Sequence, residues 1–308
     1  MRRIALRVAV VLAGLIGVFV VVALIRVAPI DVSALARRAP ERSALMRQRE
    51  HEAQRTGRAY QESRHWLPLE HMAKHLRDAV LVAEDARFFS HEGFDWDEIR
   101  HSAQKNLKER KVVRGGSTIT QQLAKNLWLS TSQTPWRKFE EMILAVRLER
   151  ALSKRRILEL YLNTIEWGDG VYGADAAARH WFGVGAGSLD VGQAIRLAAV
   201  IINPRRYSPV EPNRRIENRI RIIASRLRRR GAITETEYRI ALGLPPEAPT
   251  PGVDSTLFGP PPDTIPAPPY EEPAPSDSGP VPATEPPGPE PPLADSLQAP
   301  GAATAPSR

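Results

Sequence analysis

Residues 8–25 read VAVVLAGLIGVFVVVALI, an apolar run with no charged side chain to interrupt it. Coiled at 1.5 Å per residue it spans about 27 Å, close to the hydrocarbon thickness of a bilayer. Arg2, Arg3 and Arg7 precede the run, and Arg26 follows where its long side chain can snorkel to an interface. A cleavable signal peptide is the competing reading. The run is longer than a usual signal core and no clean A-x-A site follows it, so an uncleaved transmembrane helix over residues 1–26 is expected. The arginines before it favour a cytoplasmic N-terminus, while Arg37 and Arg38 on the far side pull against that orientation.

The opposite end differs in kind. From Pro245 onward the chain holds 21 of its 28 prolines, nine acids and one base, Arg308. Too few apolar groups stand there to offset the entropy of ordering, so residues 245–308 are expected to form a disordered, acidic, proline-rich tail. With the tail's −8 set aside, residues 1–244 carry +16 against +8 for the whole chain. A body this basic suits a solvated surface, or contact with anionic lipid and phosphate-bearing substrates. Nucleic acid would satisfy the charge alone, but a membrane anchor argues against it, and none is expected as a partner. The chain has no cysteine, which excludes disulfides, thiol catalysis and zinc ribbons.

Between the two ends, residues 27–64 read as a polar, arginine-rich connector, helical in part, and residues 65–244 as the folded domain. Leu76, Val80 and Glu84 recur every four residues with Ala79 and Ala83 beside them, the pattern of a helix face turned to a core. A Gly-Gly turn then leads into a helix start, where Thr118 and Gln121 have capping-box spacing. Residues 136–152 are apolar around most of a helical circumference, which predicts a largely buried helix. Ser153 is placed to cap the next helix, which Asn163 and the glycines at 168, 170 and 173 end. Two more helices are expected at about 190–202, halted by Asn203-Pro204, and about 216–230, halted by Gly231. No strand alternation of any length occurs, so the fold class is all-α or nearly so.

Several residues carry chemistry. Glu84 extends the apolar face of its helix, and burial there would disfavour the charged carboxylate, as a general base or acid requires. The plainer alternative pairs it with Arg87, three residues on. His91, Asp95 and Asp97 are metal-ligand types, but the turn glycine Gly93 favours a loop held together by its own hydrogen bonds. RGGSTIT, residues 114–120, offers a base, exposed hydroxyls and a helix N-terminus, a natural seat for an anion. Glu141 shares a predicted helix with Arg137 and Lys138, either as an internal ion pair or as half of a two-carboxylate site; Glu140 is expected to be its exposed neighbour. Ser102-Ala103-Gln104-Lys105 matches the S-x-x-K of penicillin-binding enzymes, but no K-[ST]-G occurs, and the match is taken as coincidence.

Assembled in order, these pieces resemble the glycosyltransferase family 51 domain, the peptidoglycan polymerase module. EDARFFSHEGFD (84–95) is similar to E-D-x-x-F-x-x-H-x-G-x-D, and GGSTITQQLAKN (115–126) to the second motif at essentially every position. RKFEE (137–141), KRRILELYLNTIEWGDGVYGADAAA (154–178) and QAIRLAAVIINPRRYSP (193–209) resemble the remaining three. Five motifs in the right order over about 65–210 make the resemblance specific. With one anchor and no transpeptidase motif, the chain resembles the monofunctional biosynthetic peptidoglycan transglycosylases.

The resemblance implies a lysozyme-like, helical glycosyltransferase domain with a small lobe dipping into the membrane. It implies a single-pass protein of the cytoplasmic (inner) membrane with its catalytic domain on the outer, periplasmic face. Partners would be lipid II, the growing glycan strand and membrane lipid, with other cell-wall synthases or division proteins beyond them. Glu84 would be the base that deprotonates the acceptor hydroxyl, and Glu141 the second acid, near the pyrophosphate or its metal. Arg114, Ser117, Gln121, Lys125, Arg137 and Lys138 would hold sugar and phosphates. A divalent metal ion, Mg or Mn, would assist the leaving pyrophosphate. Two departures stand out: SQTPW supplies no base before Arg137, and Gln193 occupies a position where the family often has an acid. A lytic hydrolase on the same scaffold would have no use for RGGSTITQQLAK or the Arg137–Lys138 pair. A catalytically silent membrane scaffold would be expected to lose one of the two glutamates.

Overall fold

The computed structural model describes residues 2–109, 116–131 and 134–245, so the expectations for Arg114 and for the tail beyond residue 245 lie outside the described residues. The apolar run forms α1 (Arg2–Val27), and its stretch Val10–Val27 is long and apolar enough to cross a membrane. After α2 (Ala44–Arg55) come α3 (Lys74–Glu84), α4 (Trp96–Glu109), α5 (Ile119–Trp128), α6 (Pro135–Ala151) and α7 (Lys154–Thr164). α8 (Ala174–Phe182), α9 (Val191–Val200), α10 (Arg214–Arg229) and α11 (Glu235–Ala241) complete the α-helices among the described residues.

The helix starts are written locally. Thr118, Thr134, Ser153, Asp190 and Asn213 each accept the backbone N–H three residues on, satisfying a donor that a helix leaves orphaned. Pro135 opens α6, where a missing N–H costs nothing. Packing then sorts the helices into two groups. α3 lies along α9 and α10, burying Leu76, Ala79 and Val80 completely, and α5 lies between α6 and α7. Each fully buried Leu or Val contributes about 1.5–3 kcal/mol. The seam between the two groups is where the C-terminus of α3 meets α5.

Three short strands, β1 (Ser63–Arg64), β2 (Glu166–Gly168) and β3 (Val171–Tyr172), form a small sheet in the order β1-β3-β2. β1 runs parallel to β3, and β2 antiparallel to it. The connector is thereby sewn to the domain: Arg49 of α2 grips Glu166 with contacts of 3.0 and 3.1 Å, and Tyr60 meets Tyr172 hydroxyl to hydroxyl at 3.0 Å. Gly170 turns between β2 and β3 at φ +76°, and a Cβ there would stand 2.3 Å from the Gln61 carbonyl oxygen. Gly170→Ala is therefore expected to cost about 1–3 kcal/mol of backbone strain and to lower the thermal midpoint. An unchanged melting curve would mean that the connector does not need this close approach.

α1 does not stand apart from the domain. Phe19 packs edge-on against Trp136 at 4.5 Å and, tilted, against Phe139 at 5.2 Å, both on α6. Arg26 donates to Glu140 at 2.6 Å, and Arg147 reaches the carbonyls of Val27 and Ile30. Glu140, expected to be exposed, is buried at 5%. α1 covers it, and Trp136 Nε1 also donates to it at 2.9 Å.

Candidate active site

Glu84 is the last residue of α3, and the chain leaves the helix through Asp85. The loop that follows is bolted to the start of α5. The Asp85 carboxylate accepts the Ile119 N–H at 3.0 Å and the His91 ring at 3.0 Å, placing a negative group at a helix N-terminus. Thr118 donates its hydroxyl to the Gly93 carbonyl at 2.7 Å. Asp95 accepts the Glu98 N–H at 2.9 Å, and Asp97 pairs with Arg87. His91, Asp95 and Asp97 thus hold the loop, as the turn glycine suggested. Arg87 is engaged there and is not the partner of Glu84.

This bolting aims Glu84 across the seam. Its side chain is 12% exposed. Gln122, in the first turns of α5, donates Nε2 to Glu84 Oε2 at 3.0 Å, and the Tyr161 hydroxyl on α7 donates to Gln122 Oε1 at 3.0 Å. From α10, Arg219 meets Glu84 Oε1 at 2.5 Å. A carboxylate offers about four acceptor positions, and two are taken here, which leaves room for an incoming hydroxyl.

The second half of the site lies on α6. Glu141 is buried between Arg137, at 2.6 Å, and Lys138. Lys138 also donates to Ser117 Oγ at 2.9 Å, so Ser117, Arg137, Lys138 and Glu141 form one contiguous group. Lys125 of α5 stands within electrostatic reach of both acids. Burial lowers its pKa below that of an ordinary lysine. Glu141 and, more weakly, Glu84 oppose that shift, while Arg137 and Lys138 reinforce it. Gln121 is buried and spends its side-chain oxygen on the Thr118 N–H at 3.1 Å. Its spacing foretold that capping box; its place in a sugar-binding set is not visible in these contacts.

Sequence reasoning missed Gln122, Tyr161 and Arg219. Gln122 and Tyr161 lie inside quoted motifs, Gln122 directly beside the chosen Gln121 and Tyr161 on a helix from which no residue was chosen. Arg219 is one of many arginines between 214 and 230, and only the packing of α10 on α3 distinguishes it.

A divalent cation finds no ready cage here. Among the described residues no three acidic or histidine side chains converge. Both Glu141 oxygens are already claimed by cations. These residues do not fit a protein-held metal.

Comparison with known proteins decides the family. The transglycosylase family model matches residues 49–228, more than half of the chain. The chain belongs to the transglycosylase family. The transglycosylase match begins inside α2 and ends inside α10, so it takes in Glu84, Glu141 and Arg219 together. A biosynthetic peptidoglycan transglycosylase of Methylobacillus flagellatus is 56% identical over 163 residues, covering 53% of this chain and 71% of the relative. Proteins of the same name from Nitrosomonas eutropha and Chromobacterium violaceum are 50% and 52% identical. The first covers 61% of this chain and 77% of its own length, the second 54% and 73%.

Proposed function

We propose that the protein polymerises peptidoglycan glycan chains from lipid II. The observation that carries this reading is the two-ended site: a carboxylate with open acceptor positions at the seam, and a cluster of cations beside it, with Lys125 answering to both acids. The acceptor's GlcNAc 4-hydroxyl gives its proton to Glu84, and its oxygen attacks the anomeric carbon of the lipid-linked donor. The bond from that carbon to the pyrophosphate breaks, and undecaprenyl pyrophosphate leaves with the bonding electrons. Lys125, Arg137, Lys138 and the Ser117 hydroxyl receive the developing negative charge, where preorganised donors act most strongly. A divalent ion arriving with the substrate would help to neutralise the leaving pyrophosphate, a role common for magnesium. No step above depends on it.

The apolar helix supports membrane attachment, and in the proposed reading that membrane is the cytoplasmic one, with the domain on its outer face. Phe19, within the membrane-spanning stretch, touches the first turns of α6, and Arg137 and Lys138 lie on those turns. That contact suits a lipid-tethered substrate whose phosphates sit at the interface. Peptide cross-linking is not part of the proposal, since Ser102 of the S-x-x-K match is buried in α4 and donates to Glu98 at 3.0 Å.

The test is incubation of the full chain, in detergent, with labelled lipid II and separation of products on a gel. A ladder of glycan products supports the proposal. Cleavage of preformed glycan without a ladder would replace it with a lytic activity.

The low Lys125 pKa adds a pH signature. Only the protonated amine holds a phosphate, so donor affinity is expected to fall on the alkaline side at a lower pH than an ordinary lysine would impose. Lys125→Arg, whose guanidinium stays charged, should move that fall upward. Titrations of donor binding with superimposable alkaline limbs would remove Lys125 from the phosphate seat.

A further inference from the structure

Three contacts bear on Glu84 without belonging to the cation cluster. Arg219 holds Oε1 at 2.5 Å and also reaches the Ala83 carbonyl at 3.4 Å, so it grips the last turn of α3 as well as the carboxylate. Gln122 Nε2 holds Oε2 at 3.0 Å. Tyr161, fully buried, donates to the other end of the same amide. The acceptor-only Glu84 carboxylate settles which way the amide faces, and the Tyr161 hydroxyl suits that orientation. Nε2 is turned to Glu84, and Oε1 to the hydroxyl. Flipped, the amide would set oxygen against carboxylate oxygen. Burial pushes the Tyr161 pKa well above the usual phenol range, so the hydroxyl stays a donor at any working pH.

The terminal torsion of a glutamate is broad and soft, so a lone carboxylate samples many orientations. Proton transfer is not so tolerant, since a base has to come within about 2.6–3.2 Å of the proton's carrier. We propose that Arg219 and the Tyr161–Gln122 pair are positioning residues, which fix the rotation of the Glu84 carboxylate so that its unclaimed acceptor positions face the acceptor sugar. Four helices, α3, α5, α7 and α10, converge on this one group. The proposal rests on Glu84 being the base. It differs from a purely architectural role, in which Arg219 merely ties α10 to α3.

The experiment measures steady-state glycan synthesis and thermal midpoints of the full chain for Arg219→Gln, Arg219→Lys, Tyr161→Phe, Gln122→Ala and the Tyr161→Phe/Gln122→Ala double variant, beside Glu84→Gln. Misplacement of a reacting group by about 1 Å costs on the order of 10²-fold. Arg219→Gln is therefore expected to lower kcat by about 10–100-fold with KM for the lipid-linked donor nearly unchanged, and Arg219→Lys to recover part of the loss. Tyr161→Phe should lower kcat several-fold, and the double variant should be no slower than Gln122→Ala alone, because Tyr161 acts through Gln122. Normal kcat in Arg219→Gln and Tyr161→Phe beside an inactive Glu84→Gln would overturn the positioning role and leave the base in place. A lowered thermal midpoint with normal kcat would overturn it equally. An active Glu84→Gln would instead remove the base on which the proposal rests. Should Arg219→Gln fail to fold, Arg219→Lys and Tyr161→Phe carry the same test.

Discussion

Glu84→Gln is expected to lower glycan synthesis by about 10²–10⁴-fold, the contribution typical of a positioned general base, while the protein stays folded. The substitution keeps the volume of the side chain and removes its ability to take a proton. The cost to the fold is small for a stated reason. Arg219 loses an anionic partner, but its side chain is 25% exposed, and water can solvate the charge left behind. The amide oxygen of the new side chain can still accept from Arg219. With that oxygen on Arg219, the new NH2 faces Gln122 Nε2, so the Gln122 amide has to turn, and a loss of about 1–2 kcal/mol is expected. The check is twofold: product ladders from labelled lipid II, and melting curves of the two proteins side by side. A variant that melts normally and makes no ladder isolates the chemistry. A variant that polymerises at near-normal rates would show that the acceptor hydroxyl loses its proton elsewhere.

What could be read from the sequence and what could not divide along physical lines. Local signals were legible. The Thr118/Gln121 capping box, the Ser153 cap and the halting of α10 before Gly231 are settled within a few residues of chain, and each stands as expected. The face of α3 that ends on Glu84 was legible for the same reason, since helical period alone aligns Leu76, Val80 and Glu84. Weakly patterned elements were not. α4 is largely polar, α11 spans seven residues, and β1 and β3 have two residues each, too few for any alternation to register. Long-range contacts were least visible. Arg219 lies 135 positions from Glu84, and no spacing rule connects them. Glu140 was misplaced because helix position relative to Glu141 was the only guide, whereas Phe19 and Arg26 fold α1 onto α6 and cover it.

Glu141→Gln should damage both stability and activity, and an anion should repair part of the first. Glu141 is 3% exposed and neutralises Arg137, itself only 12% exposed, together with the more open Lys138. Breaking a fully buried pair costs about 3–5 kcal/mol. Here the outward position of Lys138, which keeps its Ser117 contact, reduces the expectation to about 1–3 kcal/mol. Activity should fall further, by about 10²-fold, because Glu141 fixes the heads of both cations and a loosened phosphate seat loses its preorganisation. The variant's excess positive charge makes a specific demand. Inorganic pyrophosphate should raise its thermal midpoint more than it raises that of the unaltered protein, since the anion substitutes for the missing carboxylate between Arg137, Lys138 and Lys125. Equal shifts would mean that pyrophosphate binds elsewhere. An unchanged midpoint without pyrophosphate would mean that the two cations never needed Glu141, and the second half of the site would have to be sought among other residues.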